Sequence, residues 1–468
     1  MWLTGFLRRA QVETLHRNAL RVLEEVGARV EHPVLCERLG ALGAQFDDQI
    51  GTVRFAPKTL ERLIGEAPKT PLPEGPPAVG CAAGVYQSVW LDPDSGALLP
   101  FDETLLARYL AIARAAPGVE GAGLLGVPYV PEGVPPRLLP LAEKLVAWKW
   151  GASPGGGVHF TDLCAPLLDL FACHASWQGR SVEEVFAAGG YLISPLRLAR
   201  PECEQLLWFH ARGLRYFVGQ LPMQGATAPV TLAGAVTLSL AEQMLLFLVR
   251  RSLWEDATWT VGGSVSTVDM RTGVSCYGRP EMQRVNAAFA ELGRFYGCAA
   301  SGHTGLTDAR TPSFEAGAQK AAGALWTALA CGHAEVQAGL LGMDEVCSPL
   351  QLVLDADLAE ALRALLAEPA VDDASCALKE IAAVGPGGGF LGSPLTAERH
   401  RSELWRPVTW SREFRAGWEA AARPRDLSRA RERLQAIEAA CDPLPCIDPG
   451  EEAELNSIVA AAARTCRP

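Results

Sequence analysis

From about residue 116 onward the chain alternates short apolar runs with amphipathic stretches of helical period, the pattern of β/α units on a parallel sheet. The candidate strands are "VEGAGLLGVPYV", "GGYLISPLRL", "RYFVGQLPM", "TWTVGGSVS", "GCAASGHTGL", "AEVQAGLLG" and "LKEIAAVGPGGGF", with a weaker one near Val146 to Gly151. Polar or Gly-rich stretches such as "QGATAP", "STVDMRTG", "HTGLTDAR" and "GMDEVCS" follow the runs, and helices follow those. Polar residues thus gather at strand C-terminal ends, where a barrel of alternating strands and helices carries its site. The expected fold is α/β, a (β/α)8 TIM barrel over residues 116–400. A flavodoxin-like open sheet needs fewer strands and a shorter chain.

Residues 1–115 read as a helix/hairpin region packed on the barrel. "QVETLHRNALRVLEEVGARV" sets Leu15, Ala19, Leu20, Leu23 and Val26 on one face, with Gly27 as C-cap. A hairpin is expected around "DDQIGT" and another around Asp-Ser-Gly in "VWLDPDSGALL". Residues 401–468 read as a C-terminal extension with two amphipathic helices, packed on the barrel or on another subunit, and a homo-oligomer is expected. In "GQLPMQGATAPVTLAGAVTLSLAEQ", a strand ends near Met223, a "QGA" turn follows, and Thr227 caps a helix whose first turn accepts Pro229. The low bulk of Gly225, Ala226 and Thr227 then falls on the barrel rim, where it serves either close helix packing or the approach of a large flat group.

Charge narrows the partners. The 468 residues carry 42 basic and 53 acidic side chains, a net charge of -11, without a Lys/Arg run of the kind that tracks nucleic acid. No signal-peptide core and no stretch of roughly 18 uninterrupted apolar residues is present, so neither a membrane nor a secreted location is expected. The expectation is a cytoplasmic protein. The 13 cysteines show no CxxC, and "CGH" at Cys331 and the surroundings of His159 lack zinc-ligand spacing. Buried thiols and no protein-held metal are expected.

Candidate chemistry clusters at the strand ends. "GHTGLTDAR" places Gly302, His303, Thr304 and Asp308 beyond a strand, as donor or acid/base groups or as a satisfied turn with a capping aspartate. "STVDMRTG" offers Asp269 and Arg271, either a loop-ordering ion pair or a guanidinium for a substrate carboxylate. Asp344, Glu345 and Ser348 read first as helix caps. "GPGGG" at Gly385 is not a phosphate loop, since no Gly-Lys-Ser/Thr follows. Tyr129, Tyr191, Trp259 and Tyr277 lie near strand ends or loops and are candidate faces for a cationic ligand, although most such rings are core.

The ordered motifs "VLEEVGARVEHP", "GAQFDD", "ISPLRL", "GATAPVTLAGAVTLSLAE", "VDMRTG", "GHTGLTDARTPSFEAGAQK", "VLDADL" and "GPGGGFLGSPLTAERHRSELWRP" resemble the trimethylamine methyltransferase family over nearly the whole chain. The resemblance implies a (β/α)8 barrel that moves a methyl group from a methylated amine to the cobalt of a cobalamin held by a separate corrinoid protein. It implies His303, Asp308 and Arg271 in catalytic positions, with Tyr129, Tyr191, Trp259, Tyr277 and Asp269 around the substrate. Gly225, Ala226, Thr227, Gly302 and Thr304 would then face the corrinoid. A quaternary amine leaves as a neutral tertiary amine and needs no proton. The family's trimethylamine branch carries pyrrolysine and this sequence has none, so it resembles the branch of glycine betaine. Leu395-Thr396 stands where the family's His-Thr is expected near the last barrel strand, and Ser313, Glu315 and Gln319 replace an Asp, Gln and Glu pattern.

Two other readings stay open from sequence. One is a diverged barrel that binds a methylated amine or corrinoid without turnover. The other is a barrel lyase or isomerase with His303 and Asp269 as acid and base.

Overall fold

The computed structural model describes residues 2–47 and 51–466; the turn expected within "DDQIGT" falls partly on residues 48–50, outside them. Three groups of parallel strands run in register, beside the shorter parallel pairs Ala28–Val30 with Arg197–Leu198, Met223–Gln224 with Ser266–Val268 and Val89–Leu91 with Val346–Cys347. His333–Ala338 pairs with Ala78–Val85, which pairs with Ala122–Leu124, which pairs with Ser153–Pro154. A single bridge, Gly157 to Gly189, leads to Gly189–Tyr191, which pairs with Phe217–Gly219. Val261–Gly263 pairs with Ala300–Gly302. Helices follow these strands, so the fold is α/β with parallel sheets, as expected. Among the described residues no closed ladder joins these groups: Phe217–Gly219 and Val261–Gly263 share no registered pair, nor do Ala300–Gly302 and His333–Ala338.

The first gap has a visible occupant. The Gln243 side chain donates to the Gly262 carbonyl at 2.9 Å and accepts from the Gly262 N–H at 2.8 Å. One side-chain amide thus satisfies the backbone edge that a neighbouring strand would have paired. At the second gap, Gln337 N–H donates to the Gly305 carbonyl at 3.2 Å. Gly305 sits at φ +74, and a Cβ there would collide with the backbone of Glu335 to Gln337.

Six of the expected strands form. The seventh, "LKEIAAVGPGGGF", is a helix over Leu378–Val384 and then a turn. Its Leu378 and Ile381 repeat at helical spacing, and both are exposed, with no sheet edge to recruit them. Val146 to Gly151 is no strand either: Leu139–Lys149 is a helix buried on nearly every side, so its apolar run shows no period, and the strand lies at Ser153–Pro154. The parallel set also begins at Ala78, well ahead of residue 116. That strand, "AVGCAAGV", is built from small residues of weak strand preference.

The N-terminal helix Arg9–Arg21 runs on through Val22–Val26 to Gly27, whose φ of +77 ends it as expected. Leu15, Ala19, Leu20 and Leu23 are buried, while Val26 is 58% exposed. Strand Ala28–Val30 pairs with Arg197–Leu198, which ties this region to the loop beyond Gly189–Tyr191. The hairpin Val89–Leu91 with Leu98–Pro100 turns on Asp92, whose Oδ1 accepts from Ser95 N–H at 2.8 Å. The tail helices Asp426–Ala440 and Pro449–Thr465 bury Leu434 and Leu455 against the helices outside the sheet. Helix Leu232–Leu253 is long and apolar enough to cross a membrane, yet most of it is buried in the core.

A buried ion pair locks strand to helices. Lys320 Nζ lies 2.6 Å from Asp355 Oδ2 and donates to the Gln337 carbonyl at 2.7 Å. Asp355 also accepts from Gly339 N–H at 2.9 Å and from Gln351 Nε2 at 2.7 Å. Removing one partner leaves a buried charge uncompensated. Lys320→Met should cost about 3–5 kcal/mol of stability, and Lys320→Met combined with Asp355→Leu much less. Urea unfolding midpoints of the two variants check this; equal losses would contradict it.

Candidate functional site

A cleft of about 750 Å3 opens at the C-terminal ends of the first group of strands. Tyr86 and Gln87 follow strand Ala78–Val85, Leu125 to Val127 follow Ala122–Leu124, His159 and Phe160 follow Ser153–Pro154, and Met343 and Asp344 lie beyond His333–Ala338. Tyr277, Glu143 and Glu345 also line it, as does Arg137, whose Nη2 donates to Asp162 Oδ1 at 2.6 Å.

Asp344 is the unusual member. Met343 and Asp344 both adopt left-handed backbone, at φ +58 and +72, which costs a non-glycine residue about 1–3 kcal/mol. Neighbours enforce the turn: Gly342 N–H donates to the Ala309 carbonyl, Met343 N–H to the Thr307 carbonyl, and Ser88 Oγ to the Asp344 carbonyl at 2.6 Å. The carboxyl so placed has a buried Oδ1 without a hydrogen-bond partner. Burial raises its pKa to about 6, an effect that the more distant Lys320 only partly opposes. Tyr86, Tyr191 and Tyr277 lie within electrostatic reach of one another, and Asp344 reaches both Tyr86 and Tyr277. Burial and then Asp344 raise the Tyr86 and Tyr277 hydroxyls, Tyr277 to about 12, so both stay neutral phenols. Tyr191 is 63% exposed, and a Cβ on Gly219 would lie 3.1 Å from both its ring and that of Phe217, so the two rings flank that glycine. Glu143 lies beside the fully buried Lys144, whose Nζ is 2.8 Å from Glu143 Oε1.

Tyr277 lines the cleft, whereas Tyr191 ends its strand and lines a second cavity beside Gly219. Trp259 lines neither: it is fully buried, edge-on to Phe247 and Tyr296, at the entry of its strand rather than the exit. Tyr129 packs on the core beside Asp102 and Glu103 instead of lining the cleft. His303 stands edge-on to Tyr277 with ring centroids 5.1 Å apart, and burial lowers its pKa to about 4, which keeps it neutral. Asp308 Oδ1 accepts from Tyr277 N–H at 2.7 Å and Gly278 N–H at 3.2 Å, so it shapes the loop that presents Tyr277.

The expected pairing of Asp269 with Arg271 is not formed. Asp269 binds Arg279 at 2.6 Å and the Arg271 and Thr272 amides at 3.0 Å, which holds its carboxyl down at about 2. An Asp followed by this turn recruits its own backbone first. His303 and Asp269, engaged with Tyr277 and Arg279, do not make the acid/base pair of a lyase.

Thr227 does not cap the long helix. It accepts from Met223 N–H at 2.8 Å, and Thr231 caps Leu232–Leu253 by accepting from Gly234 N–H. Gly225 sits at φ +93 with Val268 and Met270 against it, while Ala226 and Thr227 are exposed. Gly302 is half-buried, with Asn286 and Thr327 where a Cβ on it would point, and Thr304 is buried. Leu395-Thr396 lies in helix Pro394–Glu403 and not at a strand end. Ser313 caps helix Phe314–Cys331, and Gln319 accepts from Thr307 Oγ1 and Asp308 N–H at 2.6 and 2.8 Å.

Sequence reasoning missed Tyr86 and Glu143 and ranked Asp344 as a cap. Tyr86 follows a strand that the apolar pattern conceals, and nothing in "GMDEVCS" separates a capping from an uncompensated carboxyl.

Comparison with known proteins places this geometry in a family. The trimethylamine methyltransferase (MTTB) family model matches residues 190–465. A glycine betaine methyltransferase of Desulfitobacterium hafniense (strain Y51) is 26% identical over 97% of this chain and 96% of its own length. Trimethylamine methyltransferase MttB1 of Methanosarcina mazei is 30% identical over 51% of this chain and 48% of its own length. Among solved structures, the Methanosarcina barkeri monomethylamine methyltransferase (MtmB) aligns over 92% of this chain and 88% of its own, with 11% identity and a TM-score of 0.49. The chain belongs to the trimethylamine methyltransferase family, in the branch without pyrrolysine, and is a methyltransferase.

Proposed function

We propose that this methyltransferase takes a methyl group from a quaternary amine of the glycine betaine type and passes it to a corrinoid held by a partner protein. One observation carries the reading: Tyr86 and Tyr277, with Tyr191 nearby, converge on the uncompensated Asp344 carboxyl at the strand ends. Neutral phenol faces attract an ammonium too crowded by methyls to donate hydrogen bonds. Asp344 supplies the opposite charge, and neutral His303 adds no competing cation. The leaving group departs as a neutral amine, so the residues have only to desolvate the cation and aim one methyl outward.

When bound, a reduced corrinoid supplies the nucleophile. The rim suits it: Val230 and Met270 are 66% and 74% exposed around Gly225, and small Ala226 stands open beside them, an apolar edge for a flat macrocycle. In this reading the three strand groups close as a (β/α)8 barrel, with Gln243 and Gly305 bridging its two unregistered seams and the cleft at its mouth.

Three outcomes follow. Protein mixed with reduced cobalamin, or a cognate corrinoid protein, and a panel of betaines and amines should develop methyl-cobalamin absorbance with a quaternary donor; silence with every donor sinks the proposal. Asp344 is a carboxylate only above about pH 6, so glycine betaine affinity should fall as pH drops through 6. Asp344→Asn should weaken binding about tenfold to a hundredfold and flatten that profile in calorimetric titrations. Its raised pKa, above the usual 3.8, means stability present at low pH is lost as pH rises through 6; the Asn variant should lack this loss. Ala226→Trp should cut methyl transfer while leaving donor affinity and thermal unfolding unchanged; an equal loss of donor binding would place that residue elsewhere in the site.

A further inference from the structure

A second cavity, about 250 Å3, lies in the seam between Phe217–Gly219 and Val261–Gly263. Gln243, Leu246 and Arg250 line it from one face of helix Leu232–Leu253, and Ser264 and Ser301 line it from the strands. Arg250 is partly buried, and its buried Nε has no hydrogen-bond partner. Among the described residues no carboxylate pairs with it, and burial alone, with no opposing charge, lowers its pKa. The Ser264 and Ser301 hydroxyls likewise make no hydrogen bond among the described residues. A guanidinium withdrawn from water without a counter-charge is costly, and such uncompensated groups in clefts mark binding sites.

We infer that this seam cavity binds a small oxyanion, with Arg250 as the charged clamp and Ser264 and Ser301 as hydroxyl donors. The guanidinium fork matches the two oxygens of a carboxylate or phosphate, and Arg250 lines the cavity. Gln243, which would compete for such an anion, is already committed to Gly262. Two sources share this chemistry: the carboxylate of a zwitterionic methyl donor, or a free inorganic anion. Only the first rests on the methyl-donor reading.

The test uses the full chain at constant ionic strength, titrated by calorimetry and thermal shift with inorganic phosphate, acetate, glycine betaine and choline. Phosphate or acetate should bind, and Arg250→Met should weaken that binding about tenfold or more, with Arg250→Lys intermediate because it keeps the charge but loses the fork. Without added anion, Arg250→Met should unfold at the same or a higher temperature, since it removes an unpaired buried charge. If glycine betaine loses affinity in Arg250→Met while choline does not, the donor's carboxylate is the anion. If phosphate and acetate respond and glycine betaine does not, the anion is free. No Arg250-dependent binding of any of the three anionic probes, or an Arg250→Met variant destabilised in anion-free buffer, overturns the site, whatever the outcome for methyl transfer.

Discussion

The pairing of Lys320 with Asp355 is the interaction on which the site geometry rests. Neither group touches solvent, and together they fix three elements: helix Phe314–Cys331, helix Pro349–Leu366 and the strand between them. Asp355 takes the Gly339 N–H just where the strand ends, and Lys320 takes the Gln337 carbonyl two residues earlier. The chain therefore leaves the sheet at a set point and direction. With that exit fixed, Gly342 and Met343 reach Ala309 and Thr307, and those bonds, with Ser88 Oγ on the Asp344 carbonyl, hold Met343 and Asp344 in left-handed backbone. A carboxyl half a turn away from this position would be an ordinary solvated aspartate. The closed charge network thus supports the strain held in this turn.

The same logic separates satisfied from unsatisfied polar groups across the molecule. Lys144 has Glu143 and glycine carbonyls, Asp269 has Arg279 and a turn, and Glu242 has Ser194 and Leu196 N–H. These charged side chains hold loops and helices in place. Asp344 and Arg250 have no such employment among the described residues, and both face cavities at or between parallel strands. Folding tolerates an uncompensated charge at a cost of several kcal/mol only if the rest of the structure supplies it.

Much of this was legible in the sequence. Six of the parallel strands, the N-terminal helix with its Gly27 cap, and both tail helices follow from apolar period and turn chemistry. The strand at Ala78–Val85 was not, because "AVGCAAGV" packs by being small and carries none of the branched or aromatic side chains that advertise a strand. The helix Leu139–Lys149 hid for the opposite reason: buried on nearly all sides, it has no polar face to set a period. Of the candidate rings, Tyr277 lies in the cleft wall and Tyr191 at the end of its strand. Trp259 was misplaced because the two ends of a strand look alike in one dimension. Asp269, Asp308 and Asp344 each follow a strand, and only three-dimensional contacts reveal that the first two engage backbone amides and the Asp269 carboxyl also Arg279, while the buried Asp344 Oδ1 has no hydrogen-bond partner among the described residues.

The seam at Gln243 shows why a break in strand pairing need not be a defect. A continuous ladder between Phe217–Gly219 and Val261–Gly263 would satisfy Gly262 through backbone and close the space beside it. A side-chain amide satisfies the same two atoms from the helix side and leaves the strands apart. The hydrogen-bond requirement of the backbone is met either way, so the choice between them is not dictated by that requirement. What differs is volume: the amide leaves a cavity lined by two serine hydroxyls and a cation, where a paired strand leaves none. The glutamine separates the sheet's need for saturated backbone from the site's need for room, and it does so on the helix that also carries Arg250.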